Sequence, residues 1–334
     1  MSIRKLFSAL VGAMALVTAI VVAPASAKVH AAACTPLTNV EAIIDDSGSM
    51  SGTDPNVLRG QAVKLIITKQ AQTQPSFTFG AVSFGDPDVH TLFAPAAVGA
   101  NKTAMAGSLS SLNADDGGTN YGLGFNQAAA DNPSRQANIF MTDGENFGDP
   151  VPLPQPPTYV IGFGDSATSP DNVAALQNVA TSTGGQYFPQ TSSAKLVSVV
   201  NSILAQITCQ SQPQAFNDTF TKVGQAIGHA VTIGRSTHSA DLVVSYPTKD
   251  DNFSFVASLF VHGKKVAAST AKKHKVKKLK LTIQRSETFF TVHVRGLKAG
   301  KLKFKIKAKK LGLSLDPTNP AGAVTTQFTP SKKR

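Results

Sequence analysis

Val40-Glu41-Ala42-Ile43-Ile44-Asp45-Asp46-Ser47-Gly48-Ser49-Met50 is the stretch on which the fold turns. Val40–Asp45 is a short apolar run that ends in acid, and it passes at once into a turn of small hydroxyl residues. It reads as a strand that delivers Asp45, Ser47 and Ser49 to its carboxyl end. A second strand, Asn138–Thr142, does the same for Asp143. In an open sheet with helices on both faces, ligands gather at that end of the strands. These chain-distant groups therefore converge on one rim.

The segments around them alternate in type. Asp54–Gln72 has helical spacing, with Leu58, Ala62, Leu65 and Ile66 on one face and the stem of Lys69 continuing it. Phe77–Phe84 is apolar on both alternations, as in a strand covered on both faces. Val89–Phe93 is a candidate edge strand. Tyr121–Ala130 reads as a helix, Thr158–Phe163 as a strand, and Pro170–Thr181 as a helix opened by proline. Gln186–Pro189 is a short strand. In Ser193–Thr208, residues Leu196, Val199, Val200, Ile203, Leu204 and Ile207 form one apolar stripe. Strands separated by helices predict an α/β fold, a doubly wound and mostly parallel sheet.

Ile44-Asp45-Asp46-Ser47-Gly48-Ser49-Met50 resembles the Asp-x-Ser-x-Ser motif of von Willebrand factor type A domains. Gly117-Gly118-Thr119-Asn120 resembles their threonine loop, and Met141-Thr142-Asp143-Gly144 their second acidic loop. Thr183-Gly184-Gly185-Gln186-Tyr187-Phe188, ahead of the last helix, also fits. The resemblance runs in order from about Val40 to Cys209. It implies a metal-ion-dependent adhesion site with Asp45, Ser47, Ser49, Thr119 and Asp143 as ligands. Hard divalent cations take small oxygen donors of this kind, and Mg2+ is expected ahead of Mn2+ or Ca2+. A carboxylate from a protein or other acidic partner would complete the shell. Asp46, Asp115 and Asp116 are further acids near the rim and read as solvated loop residues, with a contribution to ion affinity as the alternative. The family's helix after the second acidic loop is not expected, because 145–157 is short and holds five prolines.

The 334 residues carry a net charge of +12, unevenly spread. Residues 28–209 hold seven Lys/Arg against 14 Asp/Glu, and residues 210–334 hold 23 against six. This reversal marks a boundary near Cys209–Pro213 and a change of partner. A charged start at Arg4 and Lys5, an apolar run Leu6–Val22 and Ala25-Ser26-Ala27 read as a secretory signal over residues 1–27, with an uncleaved anchor as the alternative. Residues 35–209 form the α/β domain, 213–325 a basic β domain and 326–334 a basic tail. The chain is expected to be secreted or held at the cell surface. Its two cysteines, Cys34 and Cys209, would meet an oxidising compartment and pair, with lipidation of Cys34 as the alternative.

Past Pro213 the helical period fades. Leu242–Tyr246, Phe253–Val261, Leu279–Ile283, Phe290–Val294 and Leu302–Ala308 read as strands of an all-β, immunoglobulin-like sandwich. In the last of these, Leu302, Phe304, Ile306 and Ala308 alternate with Lys301, Lys303, Lys305, Lys307 and Lys309. The apolar set faces a core and the lysines share one solvated face. Two readings stand open: a charged edge strand that resists sticky pairing, or a surface that attracts an anionic polymer. Nucleic acid is disfavoured, because aromatic stacking residues are scarce and Trp is absent.

Catalytic signatures are incomplete. Gly164-Asp165-Ser166 lacks a following Asp-x-x-His, and Ser192-Ser193-Ala194-Lys195 lacks a Lys-Thr-Gly. The seven histidines form no His-Glu-x-x-His. The expectation is an exported, non-enzymatic protein that binds a protein or acidic partner through a divalent metal, with its basic domain retained on an anionic surface. The alternative is a polyanion-binding surface protein whose metal site is structural or silent.

Overall fold

The computed structural model describes residues 34–144, 146–164, 169–190, 193–210, 212–270, 276–313 and 322–332. The expected signal segment, the Asp165-Ser166 fragment and three of the lysines near the basic face (Lys272, Lys273 and Lys275) lie outside them. Residues Thr35–Arg334 cluster as one compact unit, which holds every element below.

The first part of the chain runs β1 (Asn39–Asp45), α1 (Met50–Thr53), α2 (Leu58–Thr73), β2 (Thr78–Phe84), β3 (Val89–Ala97), α3 (Val98–Ser108), α4 (Tyr121–Asp131), β4 (Ala137–Thr142), β5 (Thr158–Phe163), α5 (Pro170–Ser182), β6 (Tyr187–Gln190) and α6 (Ser193–Ile207). The six strands form one sheet in the order β3-β2-β1-β4-β5-β6. All neighbours are parallel except β2 and β3. Sequential crossovers run outward from β1 in both directions, which makes the sheet doubly wound. Its central strand is apolar on both sides for that reason. Val40, Ala42 and Ile44 enter a core with α2, α3 and α6, while Ile43 packs with Tyr121 and Phe125 of α4 and Leu176 of α5.

Two local readings change. The helix expected from Asp54 begins at Leu58. Val57 sits in the left-handed region at φ 50°, and the Asp54 carboxylate accepts the backbone N–H of Leu58 at 2.7 Å and of Arg59 at 3.0 Å. Asp54 thus satisfies donors that a first turn leaves open. Helix α3 is not predicted by the sequence pattern: it is Gly- and Ala-rich, and only Val98 and Met105 are buried. No helix intervenes between β4 and β5 among the described residues, as the five prolines predict.

The second part contains β7 (Gln214–Thr219), β8 (Ala226–Ile233), β9 (Thr237–Ser245), β10 (Asn252–Val261), β11 (Lys264–Ala268), β12 (Lys277–Lys278), β13 (Lys280–Arg285), β14 (Phe289–Arg295), β15 (Gly300–Lys310) and β16 (Ala323–Lys332). They make two five-stranded sheets, β12-β11-β10-β15-β8 and β13-β14-β9-β16-β7. One apolar cluster joins Val231, Phe255, Leu259, Leu302 and Phe304 of the first to Leu242, Val244, Val292, Val294 and Phe328 of the second. This is a β-sandwich. Strand β16 runs through 326–332, where a basic tail is expected, and it pairs with both β9 and β7.

Helices α2 and α6 cover the outer face of the second sheet. Val243 and Phe289 belong to the same core as β1. A buried polar chain accompanies them. Lys69 Nζ donates to Asn201 Oδ1 at 2.7 Å, Asn201 Nδ2 to Gln327 Oε1 at 2.6 Å, and Gln327 Nε2 to Ser198 Oγ at 2.6 Å. Lys69 therefore buries its ammonium as well as its stem. Neither Cys34 nor Cys209 is free; both are disulfide-bonded. Among the described residues no helix is long and apolar enough to cross a membrane.

Candidate metal centre

Asp45 closes β1 and is fully buried. Its Oδ1 accepts two bonds from the turn that follows, from the Ser47 backbone N–H at 2.9 Å and the Ser47 hydroxyl at 2.5 Å. Its Oδ2 accepts the Thr142 hydroxyl from the end of β4 at 2.6 Å. The Ser47 and Ser49 hydroxyl oxygens are 3.1 Å apart. Next to Thr142, the buried Asp143 accepts the Thr53 hydroxyl on Oδ2 at 2.8 Å.

The threonine loop is fixed by its backbone. Gly48 N–H donates to Gly117 O at 2.9 Å, which brings this loop against the serine turn. Gly117 has φ +78°, and a Cβ there would lie 2.4 Å from Asp86 O, so the position requires glycine. Thr119 is buried, and its carbonyl accepts Phe147 N–H at 2.9 Å and Gly148 N–H at 3.2 Å. Asn120 then caps α4, its Oδ1 accepting Leu123 N–H at 3.3 Å. Direct contacts thus join Asp45, Ser47 and Ser49. Asp143 adjoins them through Thr142. Thr119 stands on a loop that is bonded to the serine turn.

Burial pushes the Asp45 carboxyl up to about 6; the Ser47 and Thr142 hydrogen bonds oppose this and the neighbouring Asp143 charge adds to it. Two buried carboxylates beside the buried Ser47 and exposed Ser49 hydroxyls are oxygen donors of the kind a hard cation takes. Adjacent ligands in a Mg2+ octahedron, with bonds of about 2.0–2.1 Å, lie about 2.9 Å apart. The 3.1 Å separation of Ser47 and Ser49 suits that edge. Among the five expected ligands, the Ser47 and Ser49 oxygens thus have a separation compatible with a shared cation.

The additional acids behave differently from the expectation. Asp46 and Asp116 are buried, and only Asp115 is exposed. Their carboxylate oxygens lie within 4.8 Å of one another. Asp46 is committed to structure. It pairs with Arg59 Nη2 and accepts the backbone N–H of Ala114 at 2.9 Å and of Asn113 at 3.2 Å. Arg59 also holds Asp54 at 3.0 Å. Asp116 accepts the Ser83 hydroxyl at 3.3 Å and lies 3.4 Å from His90 Nε2. The supporting roles of Thr53, Arg59 and Thr142 escape the sequence reading. Thr142 stands inside the quoted acidic loop, but nothing local marks its hydroxyl as a partner of a residue 97 positions away.

Residues 41–145 match the family model described as the von Willebrand factor type A domain. No curated protein matches the chain. Among solved structures, an aerotolerance-related membrane protein from Bacteroides fragilis is similar at 20% identity, over 51% of this chain and 99% of that one, with a TM-score of 0.38. The pilus adhesin SpaC from Lactobacillus rhamnosus GG is similar at 11% identity, over 89% of this chain and 44% of that one, with a TM-score of 0.41. The PilB minor pilin from Streptococcus sanguinis is similar at 14% identity, over 52% and 62%, with a TM-score of 0.40.

Proposed function

We propose that the von Willebrand factor type A domain of this chain binds a protein partner through a divalent cation, Mg2+ first, held by Asp45, Ser47, Ser49, Thr119 and Asp143. It is a binding protein, not an enzyme, and works outside the cell or at its surface. The observation that carries this is the fully buried Asp45 carboxylate, with Asp143 near enough to raise it and the Ser47 hydroxyl turned onto it. Buried charge of one sign calls for compensation, and these oxygens can share a cation. When bound, the ion would offer a vertex to a partner's carboxylate. The protein's part is to keep the oxygens oriented. Thr142 fixes one oxygen of Asp45, Thr53 fixes one of Asp143, and the Gly48–Gly117 bond holds the two loops together.

The basic sandwich retains the chain on anionic material, while the metal domain engages its partner. The alternative, a polyanion-binding protein with a silent metal site, is separated from the first reading by titration calorimetry with Mg2+ and Mn2+ on the native chain and on Asp45→Ala. The adhesion reading expects saturable binding of one ion, lost in the variant. It also expects capture of a partner from surrounding extracellular material that chelator abolishes and high salt spares. Capture unaffected by chelator and by Asp45→Ala, yet lost in salt, would establish the alternative.

A further inference from the structure

The sequence leaves the alternating lysines of β15 open to two readings, and strand order removes one. Strand β15 is not an edge. It pairs along its length with β10 on one side and β8 on the other. Its lysines therefore cannot serve to guard an open edge against pairing.

What they form is a single row along an interior strand of a solvent-facing sheet, one strand in from the edge strand β8. Lys301, Lys303, Lys305, Lys307 and Lys309 are all exposed, and Leu302, Phe304, Ile306 and Ala308 are all buried. Same-face residues repeat every 6.6–6.8 Å or so, giving a row of about 27 Å. The rows beside it are low and uncharged. Thr232, Ala230, Gly228 and Ala226 lie opposite Lys301, Lys303, Lys305 and Lys307 on β8. Phe260, Ser258, Val256 and Ser254 lie opposite the same lysines on β10. No Asp or Glu occurs in any strand of this sheet. Among the described residues, the ion pairing of β15 is confined to Lys310 with Asp250 at 3.2 Å. The row is thus uncompensated, and like charges held this close cost free energy unless an anion joins them.

We infer that this lysine row is a docking track for a linear, base-free phosphodiester polymer that lies along β15. This deepens the retention reading above and is independent of the metal centre. On β15 the lysines make one line between uncharged rows of β8 and β10, and the next cation on this face is Lys265 of β11, beside Phe260; a line of this kind suits a linear ligand. The row is all lysine, a compact point charge that takes phosphate oxygens from any direction. Bases would find no platform. Phe260, the one aromatic ring on this face of β8, β10 and β15, is occupied by ammonium groups, Lys303 at 4.7 Å and Lys265 at 5.9 Å from its centroid. Single-stranded nucleic acid binding relies on such rings being open.

The test compares two variants of the full chain with equal charge loss. One is Lys303→Gln/Lys305→Gln/Lys307→Gln. The other is Lys222→Gln/Lys249→Gln/Lys298→Gln, all three exposed and outside this sheet. Binding to a poly(glycerol phosphate) oligomer is measured by anisotropy in chelator, between about 50 and about 200 mM salt. The track variant should lose at least about 10-fold in affinity and reduce the salt slope by about 2, and the control variant should lose under about 2-fold. Unchanged thermal melts confirm folding. Equal losses in both variants overturn the track and leave retention as bulk attraction. No binding by the native chain at low salt overturns retention itself. Tighter binding to a single-stranded oligonucleotide, or to phosphatidylglycerol vesicles, overturns the assignment of the ligand.

Discussion

The Thr142 hydroxyl donates to Asp45 Oδ2 at 2.6 Å, joining the carboxyl ends of β4 and β1 beside the candidate ligands Asp45 and Asp143. Outer partners of this kind orient a ligand oxygen and exclude wrong geometries. Thr142→Val keeps the shape and removes the donor. Affinity for Mn2+ or Mg2+ is expected to fall about 10–100-fold, with Thr142→Ser restoring most of it. Calorimetry on both variants checks this. Unaltered affinity in the valine variant would mean that Asp45 is held without Thr142.

Glu41 sits on β1 at the other end of the sheet from Asp45, fully buried. Asn132 Nδ2 donates to its Oε2 at 2.9 Å, and Gly80 opposite leaves it room, since a Cβ there would lie 2.3 Å from that oxygen. Burial pushes the Glu41 carboxyl up from 4.5 to about 8, against the Asn132 hydrogen bond. The folded chain keeps a proton that the unfolded chain releases, so stability is fully present below about 4.5 and is lost as pH rises to about 8. Glu41→Gln should flatten this slope. It should stabilise the protein by at least about 2 kcal/mol at the alkaline end and little at the acid end. Urea midpoints across that pH range decide it.

Lys69 and Asn201 join α2 to α6 under the sandwich. Burial pulls the Lys69 ammonium down to about 8, and the Asp241 charge opposes this. Asn201→Leu strands the ammonium and also removes the donor to Gln327. It is expected to cost about 3–5 kcal/mol. Lys69→Met/Asn201→Leu removes the stranded charge and should recover a large part of that loss. A double-mutant cycle measured by denaturant unfolding reads the coupling, and additive losses would show that the pair is not coupled.

Gly117 permits the turn that seats Thr119. Gly117→Ala introduces both a strained φ and a clash with Asp86 O. A destabilisation of about 1–3 kcal/mol is expected, together with weaker metal binding from the displaced threonine loop. Loss of stability with metal affinity intact would place Thr119 outside the ligand set.

Much of the fold is written locally. The apolar alternations of Phe77–Phe84, the acid end of Val40–Asp45 and the stripe of α6 each disclose an element through its own period. The strands that end in Asp45 and before Asp143 disclose which turns share a rim, because parallel strands put their carboxyl ends together; Thr119, on the loop before α4, is added only by the family resemblance. The alternation of Leu302 to Lys309 likewise fixes which face of β15 is wet. Elements with weak periods are not legible: α3, whose Gly and Ala carry little pattern, β7 and β8, which lie outside the five strands expected, and β16, whose Thr325, Gln327 and Thr329 interrupt an apolar count although they are buried.

What the chain alone could not decide was who pairs with whom. Edge or interior for β15, stem or whole ammonium for Lys69, solvent or Arg59 for Asp46, and the Thr142 donor for Asp45 all depend on residues 13 to 132 positions away. Side-chain period is a property of one strand or helix, whereas strand order and buried hydrogen bonding are properties of the closed structure. The sequence determined the faces, and tertiary structure decided what those faces meet.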